Sequence, residues 1–150
     1  MPVTITAESP LTAEAHALVE GSQQSLLEVF PPEAIFTFSA LELATPDVAF
    51  FVAREAGRAI GCVALVDCGG YGEVKRLYVP NEGRGRGLAK AMMAAVEARA
   101  RDIGMAAIRL ETGEALVAAV SLYAALGFRR CGRFGDYADH PASLFMEKLL

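Results

Sequence analysis

The chain has 150 residues with a formal net charge of -4, and 53% of them are hydrophobic, enough apolar material for one domain with a continuous core. The negative balance argues against nonspecific attraction to nucleic acid or to an anionic membrane. Three scattered cysteines and two distant histidines, His16 and His140, encode neither a disulfide framework nor a zinc site, so no metal is expected.

Residues 3–7 alternate and predict an edge strand, and nothing there resembles the basic segment and apolar core of a signal peptide, so a cytoplasmic protein is expected. Ser9 or Thr12 offers an N-cap for a helix running from about Thr12 towards Phe30, stopped by Pro31-Pro32. Thr45-Pro46-Asp47 reads as a turn. Residues 48–54 and 59–66 are apolar and β-rich, and the Glu55-Ala56-Gly57-Arg58 segment between them is a hairpin signature. Cys62, in the second run, reads as a buried thiol. A third strand over residues 73–79, where Val74, Leu77 and Val79 mix with Lys75 and Arg76, is expected to pair with this hairpin.

That strand leads into Arg84-Gly85-Arg86-Gly87-Leu88-Ala89, at the start of a helix in which Leu88, Met92, Val96 and Ile103 recur at helical spacing, with Gly104 as its stop. Glycines let the backbone approach an anion, a helix N-terminus offers unpaired N–H groups, and arginines add charge. The junction therefore predicts a phosphate-bearing ligand. It is not a Walker A loop, which needs Lys and Ser or Thr after its last glycine, nor does its glycine spacing match the dinucleotide fingerprint. A strand over residues 107–111 then completes a strand, helix, strand crossover, expected to be parallel and right-handed. A helix over residues 115–126 ends at Gly127; the uncharged stretch around it, residues 115–128, is shorter than the roughly 20 residues that cross a bilayer. Residues 128–134 and 143–149 read as closing strands. The fold class is α/β (mixed α+β): a mostly antiparallel sheet with one central parallel pair, flanked by helices, in one domain spanning residues 1–150.

Two segments together resemble the GCN5-related N-acetyltransferase (GNAT) family. Arg84-Gly85-Arg86-Gly87-Leu88-Ala89 is similar to the family's (Arg/Gln)-x-x-Gly-x-(Gly/Ala) loop, preceded by the strand Val74-Lys75-Arg76-Leu77-Tyr78-Val79, and Leu122-Tyr123-Ala124-Ala125-Leu126-Gly127-Phe128 resembles its Leu-Tyr-x-x-x-Gly-Phe segment. The resemblance runs from about Val48 to the C-terminus. It implies an acyltransferase that uses acetyl-CoA and no metal, whose pantetheine arm lies between two splayed parallel strands. The backbone of Leu77, Tyr78 and Val79 would pair with that arm, and the amides of Arg84, Gly85, Arg86, Gly87, Leu88 and Ala89 would hold the pyrophosphate. The chain departs from the family at Leu116, where many relatives carry Asn or Gln.

Acetyl transfer needs a neutral amine, whereas a lysine-like amine has a pKa of about 10.4, so a base is useful. Glu73 is the first candidate, against the plain reading that it pairs with Lys75 or Arg76; Glu111 is the second, or else it orients substrate or caps a helix. Tyr123 matches the family's proton donor to the leaving thiolate, beside the reading as a core tyrosine, and a backbone N–H near Leu77 to Val79 suits the acetyl oxygen. Phe30, Phe36 and Phe38 are candidates to line an acceptor pocket, and Asp136 or Tyr137 to meet substrate. The expected reaction is direct attack in a ternary complex on a primary amine of a small molecule (amino acid, polyamine or antibiotic type). A peptide or protein lysine acceptor and a non-catalytic acyl-CoA-sensing domain are the alternatives, and a homodimer is the family habit.

Overall fold

The computed structural model describes residues 2–150. In chain order the elements are β1 (Val3–Ala7), α1 (Ala13–Leu27), α2 (Ala40–Leu43), β2 (Val48–Glu55), β3 (Arg58–Asp67), β4 (Tyr71–Tyr78), α3 (Leu88–Asp102), β5 (Ala107–Thr112), α4 (Val117–Ala125), β6 (Arg129–Arg130) and β7 (Leu144–Leu149). The strands form one sheet in the order β1-β2-β3-β4-β5-β7-β6, antiparallel throughout except for the parallel pair β4 and β5. This is the expected mixed sheet with one central parallel pair. No helix among the described residues is long and apolar enough to cross a membrane.

Local chemistry accounts for the elements. Thr12 caps α1, its hydroxyl accepting from the Ala15 amide at 3.1 Å. The helix stops at Leu27, three residues short of the expected Phe30, and a 3₁₀ turn follows Pro31. Ala56 and Gly57 both have positive φ, 52° and 79°, as a two-residue hairpin turn demands. Ser39 and Glu42 form a reciprocal capping box that starts the short α2.

Alternation along the strands sends one set of side chains to each face. Val63, Leu65, Val74 and Ile108 meet Leu88, Met92, Met93, Val96 and Ala100 of α3 and Tyr123 of α4. Phe50, Val52, Cys62 and Ala64 meet Ala15, Leu18 and Val19 of α1 and Leu43 of α2 on the opposite face. Cys62 is fully buried, as expected, and burial pushes its thiol up to about 12. Ile103 is a correction: it is 45% exposed, because α3 ends at Asp102 and the buried stripe closes on Ala100 instead. The return strand expected over residues 128–134 shrinks to the two residues of β6, Arg129 and Arg130, beyond which the Cys131 amide still donates to the Phe145 carbonyl of β7 at 2.9 Å.

Two irregularities in β4 position the site. Its pairing with β5 covers only Tyr71, Gly72 and Glu73, opposite Ala107, Ile108 and Arg109, after which the two strands separate. Towards β3, Cys62 faces Tyr78 while Ala64 faces Lys75, so two steps on β3 match three on β4. The extra residue is Arg76, at a left-handed φ of 54°. This bulge inverts the strand's alternation: before it Val74 packs on the α3 side, whereas after it Leu77 packs there and Tyr78 turns towards α1.

Candidate active site

Where β4 and β5 separate, their facing edges share no ladder, and a cleft of about 470 Å³ opens between them. Residues 74–78 of β4 with Val79 form one wall and residues 110–112 of β5 the other, while α1 and α4 close the sides. Leu77, Tyr78 and Val79 line it, on an edge of the chain that has no ladder with β5 and so leaves room for an extended ligand carrying amides.

At one end the β4 to α3 loop meets the cleft. Gly85 and Gly87 have φ of 77° and 75°, which glycine adopts without steric cost, and Gly87 is the residue from which α3 starts. The first helical amide bond runs from Ala91 to the Gly87 carbonyl at 3.0 Å, so among the described residues the amides of Gly85, Arg86, Gly87, Leu88, Ala89 and Lys90 have no partner within the chain. These converging donors at the positive end of a helix suit a pyrophosphate. Of the expected loop amides, that of Arg84 donates to the Asn81 carbonyl at 3.3 Å. Both arginine side chains are engaged as well: Arg84 Nε donates to the Val79 carbonyl at 3.0 Å, and Arg86 is ion-paired with Glu55.

The other end is built from side chains. Glu73 and Lys75, two residues apart on β4, point to the same side and are both buried, with Lys75 Nζ 3.1 Å from Glu73 Oε2. Tyr137, from the loop before β7, donates its hydroxyl to Glu73 and accepts from Lys75, and Lys75 also donates to the Phe36 carbonyl at 3.3 Å. The reading that Glu73 pairs with Lys75 is what the structure shows. Burial and the charge of Glu73 push the Tyr137 phenol well above its ordinary range.

Glu111 lies on β5 across the cleft, and no contact pairs it with Leu77 to Val79 because the two strands have already parted. It caps no helix. Among the described residues its carboxyl has one hydrogen-bond donor, Ser143 Oγ at 2.8 Å. Burial pushes its carboxyl up to about 7, against the smaller opposing pull of that hydrogen bond and of Lys75. Such a group exchanges a proton near neutrality.

Tyr123 is buried on α4, its ring 5.8 Å from that of Phe128, and its phenol is pushed up to about 12 by burial. Its hydroxyl makes no hydrogen bond to the described residues, and the residue lines the cleft. Phe30 and Phe36 line it too, whereas Phe38 packs into the core beneath α1. Tyr137 faces the cleft and Asp136 is exposed to solvent. Lys75 had no signal in the sequence, since a lysine in an alternating strand reads as a solvated residue; only the fold shows it buried among Phe36, Phe38 and Tyr137.

Comparison with known proteins agrees with this geometry. Residues 15–128 match the model of the Acetyltransferase (GNAT) family. The chain is 40% identical over 150 residues to an IAA acetyltransferase of Azospirillum brasilense, covering 99% of this chain and 98% of that protein. A Klebsiella pneumoniae crystal structure assigned as an acyl-CoA N-acyltransferase superposes with a TM-score of 0.83 at 34% identity, covering 99% of this chain and 97% of the other. The PaiA N-acetyltransferase of Thermoplasma acidophilum, solved in complex with coenzyme A, shares the fold with a TM-score of 0.79 at 19% identity and full coverage of both chains.

Proposed function

The chain belongs to the acetyltransferase (GNAT) family, and from that premise we propose that it transfers the acetyl group of acetyl-CoA to a primary amine of a small molecule by direct attack in a ternary complex. The observation that carries this reading is the cleft between β4 and β5, with unpaired main chain at one end and a carboxyl that titrates near 7 at the other. The residues fit the cofactor. The open edge of Leu77 to Val79 suits the amides of its arm, and the free N–H groups from Gly85 to Lys90 suit its pyrophosphate. When bound, acetyl-CoA supplies an activated thioester.

The chain's own groups divide the proton traffic. Glu111, rather than Glu73, is assigned the base: its carboxyl has a single hydroxyl donor, so an oxygen remains to take a proton from the amine or from an intervening water. Glu73 already receives the Tyr137 hydroxyl and the Lys75 ammonium and is better suited to fixing the position of both. Tyr123 keeps its proton at neutral pH and has its hydroxyl free, so it can donate to a departing thiolate. A backbone N–H on the open edge of β4 is assigned the stabilisation of the acetyl oxygen.

Support for a small acceptor comes from the size of the cleft and from the relative named for IAA acetylation. The test is release of free thiol from acetyl-CoA across a panel of amines and lysine peptides, beside calorimetric titration of CoA. Amine-dependent turnover supports the assignment and a preference for peptides redirects it. Tight CoA binding with no turnover on any amine points to an acyl-CoA-sensing domain.

A further inference from the structure

The bulge in β4 has a chemical consequence at the acceptor end of the cleft. A regular strand would send Lys75 and Arg76 to opposite faces, but the left-handed Arg76 reaches towards α1, the side on which Lys75 also lies. A non-glycine residue adopts that conformation only at a steric cost. The only other non-glycine residue with positive φ among those described is Ala56, and its turn requires it. Arg76 sits in no turn.

The two cations differ in their partners. Lys75 is neutralised by Glu73. Arg76 donates only to neutral oxygens: the Phe38 carbonyl at 3.0 Å, Ser22 Oγ at 3.2 Å and Gln23 Oε1 at 3.0 Å. Among the described residues no carboxylate is ion-paired with it. Glu20 and Glu42 act on it only through space, from an adjoining hollow of about 450 Å³ that they line together with His16. Arg76 forms part of the wall of both that hollow and the cleft. The charged residues lining the cleft are Lys75, Arg76, Arg84 and Glu111, with Arg84 folded onto Val79 at the cofactor end. A polycationic acceptor would therefore meet cations, whereas a carboxylate would meet a guanidinium with no counter-ion.

We propose that Arg76 is an anion subsite and that the acceptor is an amine joined to a carboxylate through an apolar body, the amine facing Glu111 and the body lying against Phe30, Ile35 and Phe36. This inference rests on the reading of the cleft as the site of a small-molecule acceptor. Its test is calorimetric titration of the CoA-loaded protein with phenylalanine, 4-(aminomethyl)benzoate and 6-aminohexanoate, each beside its primary amide. At least one acid is expected to bind tenfold or more tightly than its amide, a preference that R76Q reduces to within twofold while CoA affinity stays unchanged. Equal or tighter binding of every amide to the unmodified protein overturns the proposal. Because R76Q also removes ties between α1 and β4, the comparison on the unmodified protein and on S22A, expected to weaken the preference, decides the matter without it. An acid preference in binding with no turnover on any amine would refute transfer and keep the subsite. Turnover with no acid preference in binding would do the reverse.

Discussion

Replacing Glu111 by Gln tests its proposed role as the base, because Gln keeps the size of the side chain and an oxygen to accept from Ser143 but does not titrate. In the folded protein the carboxyl sits at about 7, against an ordinary value of 4.5. At about 1.4 kcal/mol per pH unit, that gap is about 3 kcal/mol of preference for the neutral form. A folded-state pKa raised above the unfolded value contributes stability that is full below about 4.5 and lost as pH rises through about 7. The unmodified protein therefore gives up about 3 kcal/mol across this window, and Glu111→Gln does not. At about 2–4 °C per kcal/mol for a domain of this size, the variant should melt about 6–12 °C above the unmodified protein at pH 8, relative to their difference at pH 4.5. Activity should move the opposite way. Thiol release at subsaturating amine should fall by about 10²–10⁴-fold in the variant. Its profile should keep the steady rise due to ionisation of the amine but lose the inflection near 7. Two results would refute the reasoning: a melting difference that does not change between pH 4.5 and 8, or an inflection near 7 that survives the substitution.

Three further substitutions test other parts of the site. Tyr123→Phe removes a hydroxyl without a partner among the described residues, so stability should change by less than about 1 kcal/mol and CoA affinity hardly at all, while turnover drops by about 10²-fold or more; calorimetry with steady-state kinetics checks the split. Lys75→Met strands the buried Glu73 carboxylate with Tyr137 alone and should cost about 3–5 kcal/mol in urea denaturation. Gly87→Ala meets no atom within 4 Å, so its effect comes through φ alone: about 1–2 kcal/mol of stability by thermal melting, with weaker CoA binding by calorimetry.

What the sequence made legible is what local chemistry decides. The Ala56-Gly57 turn, the Thr12 cap, the glycines of the loop before α3 and the crossover from β4 to β5 follow from residue types at short spacing. The capping box of Ser39 and Glu42 was equally legible, as Ser-x-x-Glu, and would have located α2. Other features depend on partners far along the chain. Glu73, Lys75 and Tyr137 meet across more than 60 residues, and only that meeting distinguishes a locked carboxylate from a free one. The proposed ranking of Glu111 above Glu73 has the same origin, since it depends on Ser143 and on burial. The bulge at Arg76 was hidden because Val-Lys-Arg-Leu-Tyr-Val reads as a plain alternating strand in either phase.

The inverted phase of β4 also limits how its length can vary. Deleting one residue between Lys75 and Tyr78 would straighten the strand and relieve the left-handed backbone, a local gain. It would also force one half of the strand to present the wrong side chains: either the pair Glu73 and Lys75 would swap sides with Val74, or Tyr78 would leave α1 while Leu77 turned to face it. An insertion at the same point would carry a similar penalty. Loops elsewhere can lengthen by lying over the surface, but this stretch tolerates substitution more readily than any change of count.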